Sequence, residues 1–110
     1  MPNYVLSKDA AQDLKDIANY TLKQWGVSAF NKYKKGLANK MNAIGRSEVI
    51  VRQFSTQYPQ LRVSKYRYHY IFYLEPSANK PTDQPTDKPI IIGVIHEKRD
   101  IVNRLKNRLD

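Results

Sequence analysis

Three closely spaced cations, Arg62, Lys65 and Arg67, and a histidine that opens the run His96-Glu97-Lys98-Arg99-Asp100 are the side chains here best equipped for chemistry. Cations on strands can hold phosphate oxygens, and an imidazole that titrates near neutral pH can hand a proton to a leaving oxygen. Arg62, Arg67 and His96 would then be the working set of a phosphodiester-cleaving site, completed by a second acid/base group. The same cations also suit a surface that grips an anionic partner and breaks no bond. His69 stands among aromatics in a run with strand character, where a hydrogen-bonded structural histidine is expected. With no cysteine and two histidines, neither a disulfide nor a convincing metal-ligand spacing exists, so no metal and no cofactor are expected.

Whatever these side chains do, two helices and a sheet must position them. A short apolar strand at residues 4–6 leads to Ser7, whose hydroxyl can accept from an orphan N–H of a first helical turn. Ala10, Leu14, Ile17, Ala18, Thr21 and Trp25 then recur at helical spacing as one apolar stripe, with Asp13, Lys15, Asp16 and Lys23 toward water. Trp25 continues that stripe and is expected to pack in the core or the hairpin. Gly26 is a natural stop. A second helix over residues 28–44 shows Phe30, Tyr33, Leu37, Met41 and Ile44 on one face, and the short link predicts an antiparallel helical hairpin. Residues 46–60 read as irregular or as a short third helix, with Pro59 as a stop.

Strand patterns follow. Residues 61–65 alternate in period two, residues 66–74 form an aromatic and β-branched run suited to a central strand, and residues 90–95 are almost uniformly apolar. The tyrosines of residues 66–73 are taken as sheet core before any stacking role. Residues 75–89 hold four of the six prolines and are expected to be an extended hairpin insertion. Asp100 can cap a last helix over residues 101–109. The resulting order, β-α-α-β-β-β-α, is an α+β architecture: a helical hairpin packed on a mainly antiparallel sheet, with a short C-terminal helix.

A chain of 110 residues suits one domain, residues 1–110. No apolar run nears the roughly 18 residues of a membrane span, and no leader precedes the first strand, so the cytoplasm is expected. The net charge of +9 is uneven: residues 25–70 carry nine basic residues against Glu48 alone. Such a field favours an anionic partner, whether nucleic acid, a nucleic-acid–protein complex or an acidic protein. The Lys32, Lys34 and Lys35 cluster alone is equally consistent with a solvated helix face.

The opening, Leu6-Ser7 through Ala10, Asp13-Leu14, Asp16-Ile17 and Tyr20-Thr21 to Trp25-Gly26, resembles the first strand and helix of the ParE toxins in the RelE/ParE superfamily. Arg62 with the Tyr68-to-Tyr73 run, and residues 90–100 with their strand-end His96 and Asp100, look like two further elements of that superfamily. Together the matches span nearly all of the chain outside the Pro-rich insertion, and the element order is the superfamily's own. The resemblance implies a type II toxin that inhibits DNA gyrase rather than an enzyme. A cognate ParD-like antitoxin would neutralise it in a hetero-oligomer that reaches operator DNA only through that antitoxin. No motif of the resemblance marks the target contacts; the basic residues of the second strand and of the junction before the last helix, Arg62, Lys65, Arg67, Lys98 and Arg99, are expected to make them, and the resemblance implies a structural His96. Leu14, Ile17, Leu37 and Met41 would receive the antitoxin if the sheet leaves them exposed. The alternative is the RelE activity, a ribosome-dependent mRNA endonuclease using Arg62, Arg67 and His96. That branch commonly places a tyrosine just after the last core strand, whereas this chain has none beyond Tyr73.

Overall fold

Ser7 starts the first helix as its sequence signature predicts, its Oγ accepting the N–H of Ala10 at 3.1 Å. The computed structural model describes residues 3–75 and 88–109. Its elements are β1 (Val5–Leu6), α1 (Lys8–Gly45), β2 (Gln53–Ser55), β3 (Tyr58–Tyr66), β4 (His69–Leu74), β5 (Ile90–His96) and α2 (Ile101–Leu109). Most of the expected Pro-rich insertion lies outside the described residues.

The 38 residues of α1 are broken at Gly26, whose φ of 88° and ψ of 178° belong to a region that is essentially glycine's alone. A straight helix of that length would run about 57 Å. The whole molecule is 44 Å along its longest axis, so the two halves fold back on each other. Both ends meet accordingly: the backbone N–H of Asn3 donates to Asn42 Oδ1, and Ala10 shares a buried cluster with Leu37, Met41 and Ile44. The expected helical hairpin is present.

The sheet has five strands in the order β1-β5-β4-β3-β2, antiparallel except for the parallel β1–β5 pair. One face packs on α1 through Ile71, Tyr73, Ile91 and Val94, and the other on α2 through Leu61, Phe72, Ile92, Ile95 and Leu105. Coverage on both sides explains why β5 reads as a continuous apolar run. The step from Ile91 to Val94 on one face spans three residues, which strict alternation forbids. A bulge supplies the extra residue: Tyr73 pairs with Ile91 and Phe72 with Gly93, leaving Ile92 over.

Four expectations need correcting. Residues 46–60 form no third helix; they contain β2 and the start of β3, held by Phe54 packing edge-on against Phe72 at 5.0 Å. Pro59 lies within β3, opposite the irregular stretch between Gln53 and Ser55, where its missing N–H breaks no regular ladder. The strand expected over residues 66–74 begins only at His69: Tyr66 ends β3, and Arg67 and Tyr68 make a tight turn between the paired Tyr66 and His69. Trp25 is 71% exposed at the hairpin tip beside Gly26, along with Tyr20 and Val27.

Candidate binding cleft

Asp13 is the first polar residue to depart from its sequence reading: it is 8% exposed and does not face water. Positions 10, 13, 14 and 17 share one helical face, so Asp13 points inward with Ala10, Leu14 and Ile17. There the Arg108 guanidinium donates to both of its oxygens, at 2.6 and 2.9 Å. Val94 N–H donates to Asp13 Oδ2 at 2.9 Å, and Arg108 donates to the carbonyl of Ile92 at 3.1 Å. The two-residue β1 covers β5 only at Ile90 and Ile91. The ion pair therefore meets the backbone groups that β5 leaves open past the bulge, and it ties α2 to α1. Gly93 makes room for it, since a Cβ there would stand 2.7 Å from Arg108 Nη1.

Above this pair opens a cleft of about 1000 Å³ between the hairpin tip, the β3–β4 turn and the β5–α2 junction. Arg67 enters from the turn, with φ of 52°. A left-handed backbone costs a non-glycine residue roughly 1–2 kcal/mol, and such strain concentrates at functional positions. Its guanidinium donates to the Tyr66 hydroxyl at 3.2 Å. Lys98 and Arg99 follow β5 and are exposed, and with Arg67, Lys32 and Arg104 they make five cations in the lining of the cleft. Asp16 and Glu97 are the acidic residues left beside them, and Glu97 is paired with Lys65 at 2.8 Å.

The floor holds both histidines, edge to face with ring centroids 5.1 Å apart. His69 makes a short hydrogen bond through Nδ1 to the Tyr33 hydroxyl, so the structural role expected for it is present. Burial, then the neighbouring His96, pushes its pKa down to about 4, while burial pushes Tyr33 up to about 12. Tyr33 thus stays protonated and donates, and His69 stays neutral at physiological pH. His96 Nδ1 accepts the backbone N–H of Lys98 at 3.1 Å. Both Nδ1 atoms are therefore committed as acceptors.

Of the residues picked out by sequence, the cleft brings together Ile17, Arg67, His69, His96, Lys98 and Arg99. Arg62 is not among them. It donates to the carbonyl of Pro59 at 2.7 Å and faces Glu75, four residues before Tyr66 and so about 13 Å along the strand. Lys65 lies over Tyr70 in a smaller depression with Lys40 and Arg52. Leu37 and Met41, each 4% exposed, are sealed under the sheet and offer a partner no surface in this arrangement; Leu14 and Ile17 are half-buried. Sequence reasoning missed the Asp13–Arg108 pair and Tyr33. The inward helical phase of Asp13 was the legible signal. Among the described residues, no group of three or more His, Asp or Glu side chains could hold a metal ion, and no helix is long and apolar enough to cross a membrane.

The hairpin, the five-stranded sheet and the short last helix are an α+β fold of the RelE/ParE type. Residues 4–101 match the family described as the ParE toxin of the type II toxin–antitoxin system, parDE, and the chain belongs to that family. It is similar to Toxin ParE of Escherichia coli, with 29% identity over 109 residues, spanning 99% of this chain and 98% of that one. The chain is thus a toxin-family member of a type II toxin–antitoxin system.

Proposed function

We propose that this toxin arrests growth by binding DNA gyrase on its DNA through the cationic cleft, without breaking a bond itself. The observation that carries this reading is the make-up of the cleft. It gathers Arg67, Lys98 and Arg99 in its lining but leaves Arg62 outside, so the set needed to hold and cleave a phosphodiester is not together. Both imidazoles already have a hydrogen-bond partner at Nδ1. His69, kept neutral by its burial, is a poor general acid. Exposed cations instead steer an anionic target and supply anchors.

A ParD-like antitoxin would neutralise the toxin with a segment that orders on binding, in a hetero-oligomer that reaches operator DNA through the antitoxin. The half-buried Leu14 and Ile17 are the part of the helical stripe still within its reach. Gyrase and the antitoxin both place the action in the cytoplasm. The test is a supercoiling assay with purified protein, relaxed plasmid, gyrase and ATP. The expected result is loss of supercoiling with linearised DNA, reversed by the antitoxin encoded alongside. No effect at large molar excess, with mRNA cut on translating ribosomes, would replace this reading with the nuclease one.

A further inference from the structure

Large exposed aromatic side chains gathered round one opening need a reason, because folding gains nothing from leaving them in water. Trp25, the sole tryptophan of the chain, is 71% exposed, Tyr20 62% and Tyr68 60%. None belongs to either buried cluster, yet all three line the cleft that holds Arg67, Lys98 and Arg99. Tyr68 is already set in orientation, its ring near-parallel to that of His96 at 16° with centroids 6.4 Å apart. Aromatic faces interleaved with cations are how proteins hold unpaired nucleic-acid strands: bases stack on the rings while the cations follow the phosphates. An acidic peptide would satisfy the cations and leave the ring faces idle. A cleft of about 1000 Å³ takes a short run of nucleotides and is too small for a duplex.

We propose that the cleft grips an unpaired stretch of DNA, with Trp25 and Tyr68 stacking on bases and Arg67, Lys98 and Arg99 holding phosphates. The choice of DNA rests on the gyrase reading, since an enzyme that breaks DNA exposes unpaired nucleotides at the break. The gripping itself rests on the cleft alone.

Because Trp25 is the sole tryptophan, its fluorescence reports directly on the contact. Titrating the intact toxin with a short oligothymidylate should quench it. The binding constant should fall with salt at a log–log slope of about −2, the value for three phosphates neutralised on a single strand. Followed by anisotropy of a labelled oligothymidylate, Trp25→Ala should weaken binding about tenfold or more, and Trp25→Phe, which keeps a ring, should retain most of it. At so exposed a position both variants should melt like the parent. The proposal is overturned if inorganic polyphosphate or a blunt duplex competes as well as the oligothymidylate, or if Trp25→Ala binds like the parent. Polyglutamate that quenches Trp25 while oligothymidylate does not would make the occupant a protein. Tighter binding of oligouridylate would overturn the choice of DNA. Quenching by oligothymidylate in a toxin that leaves gyrase untouched would uphold the grip and remove only the gyrase reading. Inhibition of gyrase without quenching would do the reverse.

Discussion

Asp13 and Arg108 join helices that are far apart in sequence, and the pair is buried enough for its loss to be felt. Their side chains are 9% and 13% exposed. Removing one partner of such a pair strands the other charge, at a cost of about 3 kcal/mol or more. Asp13→Ala should therefore lower the urea midpoint far more than Asp16→Ala on the solvent side. Equal midpoints would show the pair to be incidental. His69 makes a prediction in pH. Its folded pKa of about 4 lies below the ordinary 6.5, so the unfolded chain takes up a proton there that the folded chain refuses. The stabilisation is complete above about pH 6.5, is lost as pH falls toward about 4, and then levels. With allowance for partial exposure, the loss is on the order of 1–2 kcal/mol. Melting temperatures measured across that window should fall less steeply in His69→Gln, which can still accept from Tyr33; an unchanged slope would assign the fall to other groups.

At the scale of elements, Gly36 shows how packing overrides propensity. It sits in the interior of α1, where alanine would gain about 1 kcal/mol from helix propensity. A Cβ there would run into the ring and hydroxyl of Tyr66 on β3. Overpacking of that kind costs about 1–3 kcal/mol. Gly36→Ala should thus be neutral to destabilising in a denaturant titration, and stabilisation by the full propensity would mean that Tyr66 is free to move. Elements with strong local signals were legible in the sequence: the Ser7 cap, the break at Gly26, the apolar β5 and the helix opened by Asp100, whose Oδ1 accepts from Asn103 N–H at 3.3 Å. Elements defined by pairing were not. The three-residue β2 exists because Phe54 has Phe72 to pack on, and the turn at Arg67 and Tyr68 carries no glycine, asparagine or proline to announce it. Trp25 was misjudged for a related reason, because helical phase reports which face a residue takes and not whether anything covers it.

For the whole molecule, the fold turns a charge that is spread along the sequence into a directed one. The basic excess of residues 25–70 does not stay together: Arg62 and Lys65 are drawn to Glu75 and Glu97, while Arg67 joins Lys98 and Arg99 in the cleft. Half of the candidate site was readable as residue types, but which cations share a surface depends on the β3–β4 turn and the β5–α2 junction meeting over the hairpin. The most direct measurement of the central claim is growth arrest on induction of Arg67→Glu, Arg99→Glu and Arg62→Glu, each with its melting temperature. The account predicts that the first two lose toxicity with parental melting, while Arg62→Glu remains toxic. Full toxicity of both cleft variants with native-like melting would contradict it.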